Sequence, residues 1–418
     1  MEIVDPAQGE LCPNFKGEHR MKRKNCTMLF AAALIASGVT GTQAQDRPQP
    51  LPTVAEAHGV FADNSKNSVE SIKNAVTAGD WAVPVEVIGC ETAGCDGART
   101  PSVYTPLPVS EISGKWNICA VLPHVKDPYW VGQDAGLVDE AKRTGVTLQV
   151  FEAGGYTEIS KQLNQISNCV ASGANAVLVG AVSSDALNPV IEEIAAQGIV
   201  VIDYVNGVSS PAVAGRALFE HCTLGGYMGK HLKETGEPVK AVWFPGPAGV
   251  SSLETMIRCF KEQAEGGDVE VLGVSYGDTG KDAQLNLIEN ALSAYPEMNY
   301  ILGSAVTADA ATGPLNERGL TSKVKTASYY FTPEVYAGLE NGSITCASAG
   351  NDRILSRIAM DMAIRVLEKK PFHGSSYIGM AANVICGKGA GEKNDNLSTL
   401  IKELNLPPEG FRPVFSVN

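Results

Sequence analysis

The chain has 418 residues, 44% hydrophobic and 19% charged, which is enough apolar content to bury the cores of two lobes and excludes a disordered polypeptide. Its net charge of −13 repels polyanions. No run of Lys and Arg interleaved with aromatics offsets that charge, so nucleic acid is not expected as a partner.

From Met21 the sequence MKRKNCTMLFAAALIASGVTGTQAQ carries a basic stretch (Lys22, Arg23, Lys24), an apolar run from Met28 to about Ile35, and a small-residue cleavage pattern ending at Ala44. This predicts a signal peptide over residues 21–44. The apolar run is far shorter than the ~20 residues that a bilayer span needs, which favours export over anchoring. Residues 1–20 precede the basic stretch where such a signal normally begins, and are expected to be a start-site overcall.

Export changes the reading of the cysteines. Of the ten in the chain, Cys12 and Cys26 fall in the removed segment, leaving Cys90, Cys95, Cys119, Cys169, Cys222, Cys259, Cys346 and Cys386 in an oxidising compartment. Cys90 and Cys95, in GCETAGCDG, are expected to bridge. A zinc site there would need a second cysteine pair or histidines at ligand spacing, and none follows, so no metal is expected. Cys119 and Cys169 either form a second bridge or remain two buried, inert thiols.

Residues 45–114 read as an N-terminal extension, within which Trp81 to Ser113 supplies short edge strands or a lid. From Trp116 the pattern alternates. Strands are predicted at Asn117–Leu122, Thr147–Phe151, Ala176–Val179 and Val200–Tyr204, separated by helices near Val131–Arg143, Ile159–Ser172 and Asn188–Ala196. The β-branched runs are apolar on both faces, as in a parallel sheet covered by helices. After Glu220 a second series of strands and helices runs through KVKTASYY, and a late helix, Arg353–Lys369, and a strand near Tyr377–Val384 cross back. The predicted fold is α/β, with two doubly wound parallel-sheet lobes and an interlobe cleft. The lobes comprise residues 115–219 plus 349–376 and 220–348 plus 377–387. They join at three crossovers, near Phe219, Ser348 and Ser376, and residues 388–418 form a tail.

HExxH and the GxxxxGK[ST] phosphate loop are missing, and GKGAGEK (387–393) lacks both a leading strand and the Ser/Thr that would hold magnesium. The histidines show no i, i+4 pair on a helix. His124, just past the first strand, is either a ligand contact or a loop histidine satisfied by backbone. No enzyme activity, cofactor or catalytic residue is expected.

The order of elements from about Trp116 to Cys386 resembles the ribose-type (type I) periplasmic binding proteins. More narrowly it is similar to their TorT-like members, which serve trimethylamine N-oxide respiration. That likeness is carried by PHVKDPYW (Pro123–Trp130), EAGGY (Glu152–Tyr156), GSAV (Gly303–Val306) with Ala310 and Ala311, and VYAGL (Val335–Leu339). It implies a periplasmic protein that closes on a small solute. Its partner would be a membrane sensor histidine kinase; an ABC permease is the alternative, and a periplasmic enzyme acting on a small amine comes third.

The resemblance also locates a ligand site. Sugar-binding members carry polar clamps where this chain has Ala305, Val306, Met256 and Tyr330, and an unpaired sugar hydroxyl costs roughly 1–3 kcal/mol. Aromatic faces instead attract a trimethylated nitrogen by about 0.5–2 kcal/mol. Tyr129, Trp130, Tyr156 and Tyr330, each at the carboxyl end of a predicted strand, are the expected cage. Where TorT-like proteins have a Trp-rich stretch, this chain has Phe219, Glu220, His221, Cys222 and Thr223, so Glu220 is a further ligand candidate, suited to a full cation.

Overall fold

The computed structural model describes residues 81–418 except positions 82, 90–97, 249, 372–376, 381–382, 388–401 and 403. The expected signal peptide, the 1–20 segment and the Cys90–Cys95 bridge lie outside the described residues.

A nine-stranded sheet contains β1 (Val83–Ile88), β2 (Arg99–Tyr104), β3 (Asn117–Leu122), β4 (Thr147–Glu152), β5 (Ala176–Gly180), β6 (Val200–Val205), β7 (Gly215–Leu218), β13 (Tyr377–Met380) and β15 (Ser416–Val417). A six-stranded sheet contains β8 (Val239–Phe244), β9 (Val269–Val274), β10 (Tyr300–Gly303), β11 (Lys325–Ser328), β12 (Cys346–Ala349) and β14 (Asn383–Cys386). The central strands of both sheets run parallel. All five residues of β5, AVLVG, are buried, because helices cover both faces and leave no side on which a polar residue would meet water.

In the first lobe these helices are α1 (Pro128–Thr144), α2 (Ile159–Ala171), α3 (Asn188–Ala196) and α9 (Asp352–Leu367); in the second, α4 (His221–Glu234), α5 (Ser251–Ala264), α6 (Lys281–Ala294), α7 (Ala305–Glu317) and α8 (Pro333–Asn341). The start of α1 is written in the sequence. Asp127 caps it through its side chain, Pro128 occupies the first turn, and Gly145 ends it at φ 71, each the residue type that its position favours. The late helix α9 is buried at every residue from Asp352 to Ile364, since it packs between α1 and strands β5 to β7.

Three parts depart from the sequence reading. The single strand expected near Tyr377–Val384 is two: β13 pairs with β7 and β1 in the first sheet, whereas β14 pairs with β12 in the second. The third crossing therefore falls between Met380 and Asn383. Two short apolar runs in succession show no periodicity break that would reveal a change of sheet. The second departure is β7, which was not anticipated. The third is the carboxyl terminus, which returns to the first lobe. There β15 pairs with β4, and the Val414 amide donates to Asp134 at 2.7 Å. Strands β1 and β2 lie at the edge of the first sheet, one of the two roles expected of the Trp81 to Ser113 segment.

Three disulfides join described residues. Cys119–Cys169 ties β3 to α2, resolving that pair in favour of a bridge. Cys222–Cys259 staples α4 to α5, and Cys346–Cys386 links β12 to β14. Between α4 and α5, a Cβ on Gly225 would stand 2.2 Å from the Met256 carbonyl, so glycine permits the close approach that the Cys222–Cys259 bridge locks.

Candidate binding cleft

The carboxyl ends of β3, β4, β6 and β7 in one lobe and of β8 and β11 in the other converge on a single cavity, where open α/β sheets bind ligands. It is lined by Asp127, Tyr129, Trp130, Tyr156, Asn206, Phe219, His221, Thr279, Tyr329 and Tyr330, with Val205, Val250, Leu253, Pro245 and Pro247 completing the wall. The centre of a water-sized sphere has about 50 Å³ in which to move. At ~10–15 Å³ per water, that space suits a solute of a few heavy atoms.

The rings meet edge to face. Tyr129 stands 5.5 Å from Trp130, 5.6 Å from Phe219 and 5.0 Å from Tyr330, centroid to centroid, within the range preferred by aromatic quadrupoles. Trp130 lies flush on the sheet because Gly180 has no side chain: a Cβ there would come within 3.1 Å of the indole. Tyr156 packs on His124 at 5.4 Å, and its hydroxyl accepts from Asn206 at 3.3 Å. Asn206 is aimed by its neighbour. Val205 adopts φ 65, a left-handed conformation that costs a β-branched residue roughly 1–3 kcal/mol and clusters at functional sites.

Links between the lobes surround this cavity. The Tyr330 hydroxyl donates to the Asp127 carboxylate at 2.5 Å, Lys126 pairs with Asp278 at 2.7 Å, and His124 meets the Thr279 hydroxyl at 3.4 Å. Burial pushes the Asp127 carboxyl up to about 6, against hydrogen bonds from Tyr330 and from the Tyr129 amide. Burial likewise pushes His221 down to about 4 and the Tyr156 hydroxyl up to about 12. Asp127 is thus the one ionised group among the lining residues at neutral pH. The Tyr129 hydroxyl is buried without a hydrogen-bond partner among the described residues, as is Nδ1 of His124.

All four expected cage residues, Tyr129, Trp130, Tyr156 and Tyr330, face this one cavity. Glu220 does not line it. Its carboxylate accepts from the Thr223 hydroxyl at 3.0 Å, and its side chain lies against Gly379 of β13, because the chain turns into α4 at this point. Met256, Ala305 and Val306 are also absent from the lining; Met256 instead packs beneath Gly225. The wall left open by the missing Trp-rich stretch is filled by Phe219 and His221, 4.9 Å apart. Sequence reasoning passed over Asp127, Phe219, His221 and Tyr329. Only Asp127 had a local signal, the Asp-Pro start of a helix, and that signal indicates a cap rather than a ligand contact.

Residues 118–371 match the Periplasmic binding protein domain family. The periplasmic protein TorT of Escherichia coli K12 is 30% identical over 76% of this chain and 88% of its own length. A crystal structure of an ABC transporter solute binding protein from Bradyrhizobium sp. BTAi1 with bound Bis-Tris is 42% identical, with a TM-score of 0.68, covering 80% of this chain and 98% of that one. TorT in complex with the TorS sensor domain, in the presence of TMAO, is 26% identical, with a TM-score of 0.63, over 72% of this chain and 99% of that one. The two lobes, the cleft at their strand ends and these likenesses agree: the chain belongs to the periplasmic binding protein family, as a solute-binding protein related to TorT.

Proposed function

We propose that the protein is exported to the periplasm, captures a small methylated amine or N-oxide, trimethylamine N-oxide first, and presents its closed form to a sensor histidine kinase. The carrying observation is the ring-lined cavity with one buried carboxylate and one unpartnered hydroxyl, Tyr129, at its wall. The methyl groups of such a solute bury against Trp130, Tyr156, Phe219 and Tyr330 without needing hydrogen bonds, and the rings attract its diffuse positive charge. The N-oxide oxygen takes the donor that Tyr129 otherwise leaves unmade, recovering a hydrogen bond whose absence costs about 1–3 kcal/mol. A sugar would need a donor or acceptor for each hydroxyl, and the lining offers few.

Signalling follows from closure. A solute that touches both lobes favours the closed form by its differential affinity, and the closed surface is what a membrane partner reads. The TorT protein found in complex with the TorS sensor domain supports this reading. Delivery to an ABC permease is the second reading, favoured by the Bradyrhizobium solute-binding protein. Trimethylamine N-oxide is expected to raise the melting temperature of the protein by linkage, and Trp130→Ala to abolish that rise. A rise with ribose and none with any methylamine would overturn the ligand. Ligand-dependent co-elution with the periplasmic domain of a sensor kinase, rather than with a permease, distinguishes the two partners.

A further inference from the structure

On the face of the second lobe away from the cleft lining, Nε2 of His231 lies 3.5 Å from Sγ of Cys346 and 3.3 Å from Sγ of Cys386. All three ligand-type atoms fall within 4.8 Å of one another, the two side chains of His231 and Cys386 being half-buried and Cys346 buried. In a tetrahedral zinc site, with Zn–S near 2.3 Å and Zn–N near 2.05 Å, sulfur and nitrogen stand about 3.6 Å apart and two sulfurs about 3.8 Å apart. The two S···N separations are already at that spacing. Only the two sulfurs, joined in the Cys346–Cys386 disulfide, must part, and a rotation of the two cysteine side chains on facing residues of β12 and β14 supplies that movement.

We propose that His231, Cys346 and Cys386 form a redox-gated site for zinc or a similar soft-accepting divalent cation, closed while the disulfide is intact and opened by a dithiol reductant. The dithiol delivers two electrons to the S–S bond and two protons to the resulting thiols, and is itself oxidised to a cyclic disulfide. The adjacent imidazole takes up or returns a proton as each protein sulfur leaves. Metal binding then releases both thiol protons to solvent, leaving two thiolates and one imidazole nitrogen on the cation with a fourth position open to water. The partly exposed His231 and Cys386 provide the entry path. The site is independent of the solute reading, since none of its residues lines the cleft.

The test is Co²⁺ and Zn²⁺ titration of the full chain before and after reduction by dithiothreitol and removal of the reductant without oxygen. Thiolate-to-cobalt charge-transfer bands, together with zinc affinity by competition with a chromophoric chelator, are the readouts. The expected result is one metal equivalent per chain after reduction and none before. His231→Gln, which keeps the disulfide, is expected to weaken zinc by more than about tenfold, since even outer-shell partners of a metal cost 10–100-fold when lost. Cys119→Ser with Cys169→Ser is expected to leave the bands intact, and Cys346→Ser with Cys386→Ser to remove them. Absence of binding after reduction, unchanged affinity in His231→Gln, or bands that persist in Cys346→Ser with Cys386→Ser would each overturn the proposal.

Discussion

Two buried polar regions of the first lobe differ in one respect. Where α1, α9 and the edge strands meet, both oxygens of Glu140 and of Asp361 are taken: Glu140 accepts from Arg143 and from Arg357 at 2.9 Å, while Asp361 accepts from Tyr104 at 2.6 Å, Arg365 at 2.7 Å and the Leu107 amide at 2.7 Å. At the cleft wall the Tyr129 hydroxyl, and behind Tyr156 the Nδ1 of His124, have no partner among the described residues. Saturated polar groups hold elements together. Polar groups left open in an aromatic cavity are where a solute completes the structure.

The largest effect should come from breaking the saturated region. Glu140→Ala removes the carboxylate that pairs with the buried Arg357 guanidinium and is expected to remove about 3–5 kcal/mol of unfolding free energy, read by urea denaturation, while the surviving folded protein keeps its trimethylamine N-oxide response. Loss of that response in folded protein would join the two regions that the account separates. Next comes the pH dependence of Asp127. Its carboxyl is raised from its ordinary 3.8 to about 6, so the folded protein holds that proton more tightly than the unfolded chain. The stability it contributes is fully present below about pH 4 and is lost as pH rises through about 6, a change of about 3 kcal/mol. Asp127→Asn should flatten the stability profile across that window by about this amount; an unchanged profile removes the carboxylate from the account.

A finer cut is Tyr129→Phe, which keeps the ring and deletes the open hydroxyl. Stability is expected to rise by about 1–3 kcal/mol as an unmade hydrogen bond disappears, while trimethylamine N-oxide binding weakens roughly tenfold. If affinity stays the same, that hydroxyl has no part in recognition. The smallest effect belongs to Lys126→Ala. The Lys126–Asp278 pair bridges the lobes but is 38% and 48% exposed, so its loss is expected to cost under about 1 kcal/mol and to be masked by salt.

Much of this molecule is legible in its sequence. Strand β3 and helix α3 fall where the hydrophobic runs put them, because a strand buried on both faces is a continuous apolar segment and a Pro-led amphipathic stretch is a helix. What could not be read was long-range. YIGM and NVIC are alike as strings, yet one extends each sheet; the choice lies in tertiary pairing. The returning β15 is two residues long, too short to show alternation. In the site, the four ring residues stood out as large aromatics at strand ends. Glu220 did not join them because its orientation is set by the turn into α4, and Phe219 and His221 took the wall because β7 was hidden in an unremarkable GRAL.

The most direct test is isothermal calorimetry of the mature chain against trimethylamine N-oxide and ribose in the same buffer. Saturable, one-site binding of trimethylamine N-oxide that Trp130→Ala abolishes, with no heat from ribose, is the predicted result. Saturable ribose binding with no response to trimethylamine N-oxide or any other methylamine would contradict it.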